Sequence, residues 1–124
     1  MFKLSNRSIK RLRGVHEDLC LVVNQAIILS EVDFFVISGV RTKEEQQILF
    51  DNKATGILNS RHLTGHAVDL GALVGNKASW AWPHYYLIAD AMKEAAAQVN
   101  VIIEWGGDWK KPDGPHFQLP WSVT

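Results

Sequence analysis

The sequence predicts an α+β protein, a small sheet covered by helices with at least some antiparallel pairing. Three features carry that expectation. Apolar residues recur at helical spacing through Val15, Leu19, Val22, Val23, Ala26 and Ile27. Short runs of β-forming residues, such as Phe34-Phe35-Val36-Ile37, stand apart from them. The two kinds of segment mix without the regular strand–helix–strand rhythm of a parallel sheet.

In chain order, residues 5–12 make a short helix that Gly14 ends, and a second helix runs over about 16–30. Residues 34–37 follow Asp33 as a buried strand that Ser38-Gly39 closes. Thr42 and Glu45 form a T-x-x-E capping box, in which each side chain satisfies a free N–H of the other's backbone; the helix it starts reaches Phe50. Residues 51–61, with Asn52, Thr55, Gly56 and Asn59, read as a loop, and 67–70 as a second strand. Trp82-Pro83 fits a helix start, because the fixed φ of proline suits the first helical position. The alanine-rich stretch over 87–98 continues that helix. Residues 101–103 are expected as a third strand and 116–119 as a fourth.

A chain of 124 residues has the size of one domain, expected to span 1–124. With 47% apolar and 21% charged residues it has the composition of a globular protein rather than a disordered one. Thirteen basic residues balance thirteen acidic ones, so the basic excess of a nucleic-acid binder is missing. The run Arg7, Lys10, Arg11 and Arg13 reads as a solvated basic helix face. Cys20 is the only cysteine, which rules out an intrachain disulfide and a thiolate zinc cluster; its apolar surroundings predict a buried, inert thiol. Residues 1–13 lack the apolar core of a secretory signal. No apolar stretch approaches the ~20 residues of a membrane span. The product is therefore expected to be made, and first held, in a cytoplasm, and a monomer is the simplest expectation.

The chemistry concentrates in two clusters. One is Ser60-Arg61-His62-Leu63-Thr64-Gly65-His66-Ala67-Val68-Asp69, the other Asp113-Gly114-Pro115-His116. Both combine the imidazole nitrogens and carboxylate oxygens that zinc prefers. In an extended segment, Ala67 and Asp69 point to one face while His66 and Val68 point to the other, so His66 and Asp69 should not reach one ion. His62 has the wrong parity as well, but Thr64-Gly65 can turn the chain. His62 and Asp69 then pair across a turn, with His116 supplied by a neighbouring strand. Three ligands leave a fourth tetrahedral position open, as in catalytic zinc sites. By residue type alone, isolated His and Asp residues also fit surface or satisfied core positions.

The stretch S-R-H-L-T-G-H-A-V-D resembles the S-x-H-x-x-G-x-A-x-D signature of the VanY/VanX-like zinc peptidases, the M15 family of peptidoglycan peptidases. Ser60, His62, Gly65, Ala67 and Asp69 match it in turn. Ser38-Gly39-Val40-Arg41-Thr42 with Gln46 is similar to the family's upstream S-G-x-R-[ST] and glutamine, and Asp113 and His116 match its downstream acid and third ligand. Gly106-Gly107-Asp108-Trp109 and the opening Leu4 to Leu19 resemble the phage L-alanyl-D-glutamate endopeptidases within that family. The resemblance implies a hedgehog/DD-peptidase-like fold and one Zn2+ held by His62, Asp69 and His116. It also implies hydrolysis of the peptidoglycan stem peptide during host lysis, the wall being reached through a holin-type lesion. Asp113-Gly114-Pro115-His116 departs from the E-x-W-H of the D-alanyl-D-alanine carboxypeptidases, the alternative reading; a non-catalytic wall-binding module is a third.

The resemblance gives Asp113 the role of general base, although D-G-P is also strong turn chemistry. Arg41 is implied as the group that meets a substrate carboxylate or the developing oxyanion; a salt bridge to Glu44 or Glu45 is its structural alternative. Ser60, Gln46 and Trp109 are further substrate-contact candidates, and Trp105 is expected beside Trp109 in the cleft. Trp80, Trp82 and Trp121 suit packing, His16 and His84 suit the surface or a helix flank, and Glu104 is a remote substitute for the base.

Overall fold

The computed structural model describes residues 1–55 and 58–124 and contains an antiparallel sheet of five short strands. The strands are β1 (Asp33–Ser38), β2 (Ala67–Val74), β3 (Lys77–Ser79), β4 (Glu104–Trp105) and β5 (His116–Gln118). They run in the order β1-β2-β5-β4, and β3 pairs with the far end of β2. Among the described residues four α-helices accompany them: α1 (Asn6–Arg11), α2 (Glu17–Leu29), α3 (Lys43–Asp51) and α4 (Trp82–Val99). The α+β class expected from the sequence is the one observed.

The helical spacing of α2 turns Leu19, Val22, Val23, Ala26 and Ile27 inward against α4, whose Ile88, Met92 and Ala95 meet them. Phe34, Val36, Val68, Leu70 and Phe117 complete one core beneath the sheet. Burying each such side chain removes apolar surface from water, a gain of about 1.5–3 kcal/mol per large residue. Ser5 caps α1, and Thr42 with Glu45 forms both halves of the capping box on α3. The basic residues of α1 lie on its exposed face, although Arg11 also donates to the Val36 carbonyl at 2.9 Å. Cys20 is half-buried, and desolvation raises its pKa, which keeps it a thiol.

Three boundaries differ from expectation. Strand β2 continues to Val74 and turns through Gly75 and Asn76, both at positive φ, into β3. That two-residue hairpin needs left-handed residues at both central positions, which glycine and asparagine supply. Residues 101–103 are not a strand. Asn100 ends α4 in the left-handed conformation and the Val101 N–H returns to the Ala96 carbonyl, so the chain is still closing the helix there. Pairing begins only at Glu104, opposite Gln118. Finally, α3 runs into the start of the loop expected over 51–61; Gly56, within it, lies outside the described residues.

Candidate active site around a His-Asp-His cluster

Asp69 sits on the central strand with Ser38 opposite it on β1 and His116 opposite it on β5. Cross-strand partners share a face, so the sheet itself brings the carboxylate and one imidazole together. His62 reaches the same place by a different route. Ser60 caps a 3-10 turn over Arg61–Thr64 by accepting from the His62 N–H at 3.1 Å, and Gly65 ends the turn at φ 77°. A β-carbon at Gly65 would also run into the Gly14 carbonyl, so glycine is required twice over. The opening segment accounts for this crowding: the His16 N–H bonds the Gly65 carbonyl at 2.7 Å.

One potential ligand atom from each of His62, Asp69 and His116 lies within 4.8 Å of the others. His62 Nδ1 is 2.7 Å from the Gly39 carbonyl, which can only accept. Its proton is therefore on Nδ1, and Nε2 presents a lone pair. That Nε2 is buried without a hydrogen-bond partner, 3.3 Å from Asp69 Oδ2. His116 places Nδ1 at 3.2 Å from Asp69 Oδ1 and Nε2 at 2.8 Å from Gln118 Oε1. Two imidazole nitrogens and a carboxylate converging on one point, one of them an orphaned buried nitrogen, are a donor set that fits zinc.

His66 is not in the cluster. Its Nδ1 contacts Thr64 Oγ1 at 2.7 Å and its ring packs on His16, 5.3 Å between centroids. His16 caps α2, and His84 meets Ser79 at the start of α4.

A cleft of about 410 Å³ opens over the cluster, and Arg41, Asp113, Trp109 and Trp121 stand in its wall. Arg41 donates to Asp69 Oδ2 at 2.7 Å, to Ser38 Oγ at 3.1 Å and to Gln46 Oε1 at 3.1 Å, rather than to Glu44 or Glu45. Gln46 is 1% exposed, so it stands behind the guanidinium and not in the cleft. Ser60 lines the cleft as well as capping the turn, and the Trp109 ring lies 5.0 Å from that of His116. Trp105, expected in the cleft, is buried; its Nε1 donates to the Gly114 carbonyl at 2.8 Å. Glu104 accepts from Gln118 at 3.0 Å. Trp121 is half open to solvent with the Arg61 guanidinium 4.9 Å from its ring centre, a cleft-wall placement that residue type alone does not signal.

The electrostatics divide the two acids. Burial works against the charged form of Asp69, but the His116 and His62 imidazoles beside it outweigh that and hold the carboxyl far below the ordinary carboxylate range. Burial opposes the charged form of His116 too, yet its bond to Asp69 raises its pKa. Asp113 is accessible as a residue while its carboxyl is crowded by protein atoms. That desolvation, with the charge of Asp69, raises its pKa against the pull of His116, His62 and Arg41. The loop carrying it is tied down by Asp113 N–H to the Gly106 carbonyl at 2.9 Å and by the packing of Tyr85 on Gly114.

Comparison with known proteins gives the class, a peptidase. Residues 1–118 match the profile of the phage L-alanyl-D-glutamate peptidases, and the chain belongs to that family. It is 25% identical over 122 residues to the L-alanyl-D-glutamate peptidase of Escherichia phage T5, covering 95% of this chain and 89% of that protein. It superposes on the crystal structure of the Serratia marcescens L-Ala D-Glu endopeptidase ChiX with a TM-score of 0.89 and 44% identity, over 95% of this chain and 90% of the other. The D,D-dipeptidase VanXYg shares the fold, with a TM-score of 0.55 and 22% identity over 85% of this chain and 50% of that one.

Proposed function

We propose that residues 1–124 form a single-domain zinc endopeptidase that cuts the bond between L-alanine and D-glutamate in the peptidoglycan stem peptide. In this reading His62, Asp69 and His116 hold the metal. The observation that carries it is the buried, unpartnered Nε2 of His62 facing Asp69. An apolar burial of that atom would cost about 1–3 kcal/mol, a penalty that a metal ion in the cluster removes.

Zinc, when bound, polarises carbonyl oxygens and makes water acidic near neutral pH. The protein's own groups supply the rest. Asp113 takes a proton from the attacking water as the new C–O bond forms, and returns it to the nitrogen as the C–N bond breaks. Its raised pKa brings it nearer to neutrality than an ordinary aspartate, which favours accepting and then releasing a proton. Arg41 makes three hydrogen bonds within the site, and its planar fork of five donors retains N–H groups for a substrate carboxylate or the developing oxyanion. Gln46 holds Arg41, Ser60 presents His62, and Trp109 with Trp121 offers flat apolar walls to the peptide.

Among the described residues no helix is long and apolar enough to cross a membrane. We propose a monomer that acts on the bacterial wall in host lysis, released through a holin-type lesion, with no nucleic-acid partner. Incubating purified muropeptides with the protein, with and without chelator, and weighing the fragments tests the reading. Cleavage between L-Ala and D-Glu that chelator abolishes supports it; release of terminal D-Ala instead assigns a carboxypeptidase, and an inert zinc-loaded protein assigns a binding module.

A further inference from the structure

Strand β4 is two residues long, yet it touches the site through a chain of side chains. Gln118 lies two residues beyond His116 on β5, on the same face, and opposite Glu104 on β4. Gln118 Nε2 donates to Glu104 Oε1 at 3.0 Å, and Gln118 Oε1 meets His116 Nε2 at 2.8 Å. All three side chains are buried or half-buried.

The direction of each bond follows from what each atom can do. An ionised carboxylate only accepts, so the amide of Gln118 must turn its NH2 toward Glu104. Its oxygen then faces His116, and an amide oxygen also only accepts. When a metal takes one lone pair of neutral His116, the remaining ring proton is therefore held on Nε2 by Gln118, which leaves Nδ1 as the ligating nitrogen. That is the nitrogen 3.2 Å from Asp69. His62 is set the opposite way, by a backbone carbonyl on Nδ1. The two imidazoles thus offer different nitrogens to one point, and only the His116 orientation depends on side chains.

We propose that Glu104 and Gln118 are positioning residues that fix the tautomer and ring orientation of His116 for the metal, Glu104 acting through the amide of Gln118. This inference rests on the metal reading above. It gives Glu104 a role other than proton transfer.

The test measures zinc affinity by chelator competition, with melting temperature as a check on folding. The His116 Nε2–H is read in the zinc-loaded samples from long-range proton–nitrogen spectra, where its acceptor holds it against exchange with water. Gln118→Leu removes the acceptor and should weaken zinc about 10- to 100-fold, the usual effect of losing a partner of a metal-bound histidine. Its spectra should lose the Nε2–H signal to exchange with water. Glu104→Gln keeps the shape but lets the two amides pair either way, so a smaller loss of the same sign is expected. Glu104→Gln combined with Gln118→Glu puts an obligate acceptor beside His116 again, and should restore affinity and the Nε2–H signal. Unchanged affinity and an unchanged Nε2–H signal in Gln118→Leu and Glu104→Gln would overturn the inference while leaving the metal reading intact. Wild-type protein that takes up no zinc would sink both.

Discussion

The two histidines of the cluster are held by contrasting means. His62 rides on a turn set mainly by backbone and local contacts, the Ser60 cap, the Gly39 carbonyl and the left-handed Gly65, with Arg61 anchoring it to the Pro120 and Val123 carbonyls. His116 rides on a strand, and its restraints are side chains from elsewhere in the fold: Asp69, Gln118 and, behind it, Glu104. Local turn chemistry demands particular residues at fixed offsets, so it leaves a sequence signature. A side-chain relay across paired strands demands only that a donor meet an acceptor, and leaves almost none.

The contrast can be broken most severely at Gly65. Gly65→Ala imposes a strained φ and a collision with the Gly14 carbonyl. A loss of roughly 2–4 kcal/mol, on the order of 10 °C in melting temperature, is expected in thermal denaturation. A near-native melting temperature would show that the turn tolerates a side chain and that the His62 limb is softer than described. Trp105→Phe tests the other limb more gently. It removes the bond to Gly114 and should cost about 1 kcal/mol. Turnover should fall more than zinc affinity, because the loop it anchors carries Asp113 rather than a metal ligand. Equal losses in both would move Trp105 to a general packing role.

The smallest effect is one of pH. In the metal-free protein His116 has a pKa raised above its ordinary 6.5. A group with a raised folded pKa contributes stability that is complete below 6.5 and is lost as pH climbs through the raised value. Metal-free protein should therefore lose stability above 6.5. Zinc-loaded protein should gain it over the same range, because metal binding requires the neutral imidazole and displaces its proton. Denaturant melts at several pH values, with and without zinc, should give slopes of opposite sign. Parallel slopes would mean that His116 does not exchange its proton for metal.

How much was legible in the sequence follows the same division. The α2 face, the capping box of α3 and the strand at Phe34 and Val36 were readable because local spacing or propensity determines them. The signature around His62 and Asp69 was readable because turns and ligands need specific residue types. The β3 hairpin does carry a marker, Gly75-Asn76, the pair of left-handed residues its turn needs. The position of β4 had no such marker: residues 101–103 have the stronger β composition, and pairing is decided by where α4 stops unwinding and where Gln118 waits. Nor does sequence reveal that the Arg41 fork turns to Asp69, since Glu44 and Glu45 are nearer along the chain. Those two acids face solvent, and Glu45 is occupied by its cap.

The measurement that bears most directly on the whole account pairs zinc content with turnover in Asp113→Asn. The substitution keeps the size of the side chain and removes its basicity. The expected result is one zinc per chain, as in wild type, with a fall in muropeptide cleavage of about 10²- to 10⁴-fold, the range for losing a general base. Wild-type turnover in that variant would contradict the account, since the proton would then be taken by another group.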